Sequence, residues 1–134
     1  MIAACIAGLR YYAIIFGFAF AMGMARTLVI APRIGATSAV LLEVPIVVAV
    51  SWIAARRLLR HRSFVVRQRA AMGATAFILT MASEIALAGW LRGQSGLEWL
   101  AEIATPLGLF GLSGQIAFGL IPVLVPARRH TLQS

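Results

Sequence analysis

Three charged side chains sit inside long apolar stretches of the sequence: Arg26, Glu43 and Glu84. Each costs about 2.5–3.5 kcal/mol near the centre of a bilayer, so each needs a partner or a task. Depths follow at 1.5 Å per residue, counted from the span ends farthest from the central basic stretch. Arg26 lies about 6 Å in, and Glu43 and Glu84 about 10 Å in. Gln115 lies about 12 Å in on the last span. One polar residue from each span thus arrives at a common depth. Two chemistries compete for this layer. In the first, Arg26 pairs with one or both glutamates and glues the helices, because pairing selects which faces meet. In the second, two acids against one base leave a surplus carboxyl that could carry a proton or hold a cation. Arg33, at the adjoining turn, could reach down and remove that surplus.

The elements that must position these residues are membrane-crossing helices. The chain has 134 residues, 61% hydrophobic and only 12% charged. A soluble domain carries about a quarter charged residues and under half apolar ones. A globule this small cannot bury such an excess, whereas a bilayer can solvate it. Periodicity and turn residues predict an all-α bundle of four transmembrane helices, a single integral membrane domain over residues 1–134. The spans are about 11–30, 36–55, 70–91 and 107–125.

In the first span, Arg10-Tyr11-Tyr12 reads as an interfacial mark, because a single helix from Met1 to Pro32 would be about 48 Å long against a core of roughly 30 Å. Pro32-Arg33-Ile34-Gly35 is the turn, since proline disfavours helix before it and glycine permits a left-handed cap. Pro45, two residues after Glu43, removes a helix hydrogen bond and predicts a kink. Trp90 and Arg92 end the third span. Leu97–Ile103 then has helical spacing and reads as a short interfacial helix, with Glu98 and Glu102 facing water. Pro126 ends the fourth span, and the polar tail carries Arg128 and Arg129.

The stretch RRLLRHRSFVVRQR, Arg56 to Arg69, divides the chain and holds six of its twelve basic residues. Arg56, Arg57, Arg60, Arg62, Arg67 and Arg69 read as orientation signals that meet lipid headgroups. Their excess predicts a multi-pass protein of the cytoplasmic membrane with both termini and this loop in the cytoplasm. The formal charge of +8 does not signal nucleic acid, because the arginines cap apolar runs and no aromatic interleaving accompanies them. Membrane lipids, and protein partners in a complex or homo-oligomer, are the expected partners.

Enzyme chemistry finds few candidates. The chain contains no Asp and one cysteine, Cys5, so a CxxC metal or redox site is excluded. His61 and His130 lie in basic segments and are not read as a metal pair. Ser83 beside Glu84 lacks a base and an orienter, so no hydrolase triad forms. Gly108, Gly111 and Gly114 follow no strand and precede no lysine, which excludes a nucleotide loop. No catalytic residue, metal or cofactor is expected. Small residues at four-residue spacing, Gly17/Ala21, Ala19/Gly23, Ala82/Ala86 and Gly111/Gln115/Gly119, allow close helix contact.

The stretch ARTLVIAPRIGATSAVLLEVPIVVAVSWIAARRL resembles short four-span bacterial integral membrane proteins of unassigned function. The likeness runs from Arg10 to about Glu84 and is carried by Arg26, Pro32-Arg33-x-Gly35 and Glu43-x-Pro45. It implies the fold and no activity. Small multidrug exporters are similar in length and span count, but keep their key glutamate in the first span, where this chain has Arg26. The expectation is therefore an accessory or scaffolding subunit of a membrane complex or homo-oligomer. A small proton- or cation-linked transporter is the alternative, and a lipid-binding or lipid-modifying protein a third.

Overall fold

The computed structural model describes residues 1–126, so Arg128, Arg129, His130 and the expected polar tail lie outside the described residues. Within these, all regular structure is helical, joined by short connections. Helix α1 (Ile2–Ala25) passes through a wide π turn (Arg26–Ile30) into α2 (Ala31–Ile34). Helices α3 (Ala36–Leu59) and α4 (Val66–Arg92) follow, then the short α5 (Gly96–Ile103) and α6 (Pro106–Leu124). Four helical segments are long and apolar enough to cross a membrane: Ile2–Ile34, Ala36–Leu59, Val66–Arg92 and Pro106–Leu124.

These helices extend past the expected spans. The first continues N-terminal of Arg10 to Ile2, and the third begins at Val66. A helix need not stop where the hydrocarbon stops, because arginine is a good helix former and its head can snorkel to the interface. The π turn has a local cause. Pro32 cannot donate to the Leu28 carbonyl, and its ring crowds that group. The wider turn, in which the Ala31 N–H donates to the Arg26 carbonyl five residues back, absorbs the conflict. Gly35, at φ 87°, then closes the corner into α3. At the far end of α4, Gly93 takes the left-handed conformation, and Gln94 N–H returns to the Ala88 carbonyl at 3.2 Å.

The long helices form a ring in which α1 packs on α3 and α4, and α6 packs on the same two. Helices α3 and α4, adjacent in sequence, sit diagonally opposite each other. Close approach occurs where glycine replaces a side chain. A Cβ on Gly8 would lie 2.6 Å from the Met72 carbonyl oxygen, and one on Gly73 would collide with the Gly119 carbonyl. Gly17 and Gly111, by contrast, face open space, so their small-residue spacing serves no contact inside this bundle.

Tyr11 spans the other diagonal. Rather than marking an interface, it is fully buried, stacks on Phe118 at 4.6 Å between ring centroids, and donates its hydroxyl to the Phe118 carbonyl at 3.0 Å. Pro122 explains the bond. It sits four residues after Phe118 inside α6 and has no N–H to give that carbonyl. An unpaired backbone group away from water is costly, and the tyrosine supplies the missing donor. Around this pair lies the apolar core, including Ile15, Ala55, Met72 and Ile121, gathered in the half of the bundle nearest the basic loop.

If Tyr11 replaces the donor that Pro122 lacks, the two positions are coupled. Tyr11→Phe should cost about 1–2 kcal/mol on its own. In a Pro122→Ala background, where the helix regains its own N–H, it should cost under half as much. Unfolding titrations of the four proteins in mixed detergent micelles measure the coupling, and equal costs in both backgrounds would refute it.

Candidate functional site

The glutamates inside the bundle, with Arg26 and Gln115, occupy its other half, toward α5, while buried Ser51 and Arg69 lie toward the basic loop. Arg26, first residue of the π turn, faces α3, and its Nε lies 3.0 Å from Glu43 Oε2. The N–H does not point along that line, and Nε makes no hydrogen bond. The contact is thus an ion pair rather than a hydrogen bond, attractive because opposite charges this close in a medium poor in water gain Coulomb energy at any angle. Glu43 is the more buried partner, at 15% side-chain exposure against 35% for Arg26. Arg33 turns away, its guanidinium donating to the Val29 carbonyl at 3.2 Å.

Glu84 on α4 has a different partner. Gln115 on α6 donates its side-chain amide to Glu84 Oε1, in a short hydrogen bond. Among the described residues, no arginine forms an ion pair with Glu84. The four residues of the layer therefore divide into a charge-balanced pair, Arg26 with Glu43, and an unbalanced one, Glu84 with Gln115. Next along α4, Ser83 faces the α1 seam, where its hydroxyl meets that of Tyr12 at 2.5 Å.

Arg26, Glu84 and Gln115 line one cavity of about 250 Å³ that opens toward α5. Its mouth includes residues that sequence reasoning left out of the site: Arg92, Trp99 and Glu102. Glu102, expected simply to face water, accepts from Arg92 Nη1 at 3.0 Å and from Gln94 Nε2 at 2.9 Å. Trp99 is nearly buried and anchors α5 over the opening. The helix begins with a reciprocal cap, in which Ser95 N–H donates to Glu98 and Glu98 N–H to the Ser95 hydroxyl. It sits tightly on α6, since a Cβ on Gly108 would lie 2.7 Å from Ile103 Cα. The Ser95-x-x-Glu98 box was the signal available in the sequence for an ordered helix here. Counted across the layer and the mouth, three carboxylates face two guanidiniums, and Glu84 is the one with no guanidinium at ion-pair distance, Arg92 acting on it only from farther off.

The basic stretch does not behave as one unit. Arg56, Arg57, Arg60 and Arg67 are exposed, and Arg62 stands half-buried 5.4 Å from the Phe64 ring centroid. Arg69 departs from its expected place at the headgroups. It is buried, donating Nε to the Phe64 carbonyl at 3.2 Å and Nη1 to the Val125 carbonyl at 2.5 Å. Charged donors on backbone carbonyls make strong bonds, so Arg69 clamps the end of α6 to the start of α4. Among the described residues no group of three or more His, Cys, Asp or Glu could hold a metal ion.

Fold and site together define a multi-pass helical membrane protein whose glutamates lie toward α5 and whose apolar core lies toward the basic loop. Comparison with protein families, curated proteins and solved structures yields no match.

Two measurements follow from this geometry. Removing Arg26 alone, as Arg26→Gln, strands Glu43, whereas Arg26→Gln with Glu43→Gln strands nothing. A double-mutant cycle in detergent should give a coupling of roughly 1–3 kcal/mol, and a value near zero would show that the pair does not hold the layer. The second concerns α5. Hydrogen bonds from Gln94 and then Arg92 lower the Glu102 pKa below its ordinary value of 4.5. A carboxylate with a depressed folded pKa stabilises the folded state above its unfolded pKa and loses that contribution as pH falls through the folded value. Docking of α5 should thus be constant above about pH 5 and loosen on further acidification. Trp99 fluorescence in a W52F/W90F background reads this, and Glu102→Gln should shrink the transition below pH 5 to the part that belongs to the Glu98 cap.

Proposed function

We propose that this chain is a small proton- or cation-linked carrier of the bacterial cytoplasmic membrane, with Glu84 as the ion-binding carboxylate. The observation that carries the reading is a half-buried carboxylate held only by an amide, on the wall of a cavity that opens at one end of the bundle. A scaffold would be served better by an arginine shared between both acids, since an unneutralised carboxylate costs energy in a bilayer. Here Arg26 is engaged with Glu43, and the surplus charge of the layer belongs to Glu84. The basic loop faces the cytoplasm on the positive-inside argument, so the cavity opens outward. Access from the other side requires the core around Tyr11 and Phe118 to part. Gln115 is the positioning residue that keeps Glu84 turned to the cavity.

An accessory subunit or homo-oligomer is the second reading. It is favoured by the middle of the first span, where Gly17 meets no side chain of its own bundle.

The test is flux through purified protein in liposomes. With a pH-sensitive dye trapped inside and opposed gradients of protons, sodium or potassium, the native chain should dissipate one of them. Glu84→Gln should slow that flux at least tenfold, by analogy with loss of a transition-state charge contact of about 1.4 kcal/mol or more. Equal rates for Glu84→Gln, the native chain and empty liposomes would overturn the carrier reading. Stoichiometric recovery of another membrane protein from mild detergent would then establish the subunit reading.

A further inference from the structure

At the end of the bundle opposite Glu84, a second cavity of about 450 Å³ opens between the C-terminal ends of α3 and α6. Arg56, Arg57 and Arg60 form its polar wall, and Ile53, Val125 and Pro126 its apolar one. Their spacing matters. Arg60 lies three residues from Arg57 and four from Arg56, and all three side chains line the one cavity. Like charges at these spacings destabilise a helix unless an anion joins them.

The described residues do not supply that anion. The sequence contains no Asp or Glu between Glu43 and Glu84. Neither ion pair among the described residues involves these three arginines. All four glutamates belong to the α5 half of the bundle or to α5 itself. The apolar wall, meanwhile, is held in place. Arg69 fixes the Val125 carbonyl from inside, so the residues bordering the cavity from α6 cannot swing away.

We propose that this cavity is a binding site for an anionic phospholipid. Arg56, Arg57 and Arg60 chelate the headgroup phosphate, and an acyl chain descends along Ile53 and Val125. The charge complementarity, the apolar lower wall and the position at the end of two spanning helices together fit a lipid better than a soluble anion. Basic pockets between transmembrane helices hold anionic headgroups in this manner. The site is independent of the carrier reading, because it involves neither the Glu84 layer nor its cavity.

The experiment is native mass spectrometry of the full chain released from nanodiscs of phosphatidylcholine doped with phosphatidylglycerol or cardiolipin. The native chain should retain anionic lipid in preference to phosphatidylcholine. Each arginine near the surface strengthens such binding about fivefold, so R56Q/R57Q/R60Q should weaken retention roughly a hundredfold. The control is R10Q/R62Q/R67Q, which removes the same charge from the same end without touching the cavity, and it should weaken retention less than tenfold. Equal losses from both triple variants would overturn the site in favour of diffuse headgroup attraction. So would equal retention of phosphatidylcholine, or thermal stabilisation by inorganic phosphate in neutral detergent that the anionic lipids do not reproduce. Helical circular dichroism of both variants verifies that lost retention is not lost folding.

Discussion

The bilayer interior offers no water to a charge or to an unpaired backbone group, and this one constraint orders the whole bundle. Arg26 could not sit within an apolar helix without Glu43 3.0 Å away. Phe118 precedes Pro122 by one turn, and the Tyr11 hydroxyl replaces the missing N–H. The Val125 carbonyl, at the last turn of α6, is met by Arg69. In each case one helix satisfies a polar group of another, so the contact also sets register. Apolar packing alone cannot do this in lipid, where a leucine gains little by exchanging lipid for protein.

Those three contacts explain the topology of the ring. Helices α3 and α4 are joined by a short basic loop, yet no contact forms between them, and each instead packs against α1 and α6. Gly8 and Gly73 let α4 approach α1 and α6 until backbone meets backbone. Tyr11 then fills the space left at the centre, joining α1 to α6 across the diagonal. A phenylalanine would fill the volume but leave the carbonyl orphaned. A smaller residue would lose both.

Much of this was legible in the sequence, for a physical reason. A run of about 20 apolar residues has few stable states other than a membrane-crossing helix, so the number and order of helices could be read directly. The polar layer was legible too, because each of its members is an expensive exception in its surroundings. Helix ends were less so, since hydrocarbon thickness limits the apolar run and not the helix, which continues through Arg10 and from Val66. Tyr11 was misplaced because tyrosines prefer interfaces on average, whereas this one answers to a proline 111 residues later that only folding brings near. The same holds for glycines. Spacing flagged Gly17, which touches nothing, and passed over Gly73, because spacing shows a face and not what faces it. Arg92, Trp99 and Glu102 escaped notice as ordinary interfacial residues until α5 folded over the opening.

The two halves of the molecule carry opposite chemistry, and the difference bears on any movement through it. Every glutamate lies toward α5, where the interior is polar and partly open. Toward the basic loop the interior is closed by aromatic and aliphatic side chains at close backbone contact. From the α5 side inward, the interior passes from the Arg26–Glu43 and Glu84–Gln115 pairs to an apolar core. A protonated Glu84 would no longer oppose contact with that apolar layer, whereas an ionised one would, because burying the charge costs far more than burying the acid. Glu84 and Met72, a residue of this core, lie on one helix, α4. The glycine contacts of α4 place its backbone directly against α1 and α6, so a shift of this helix cannot be absorbed by side chains and must move its neighbours.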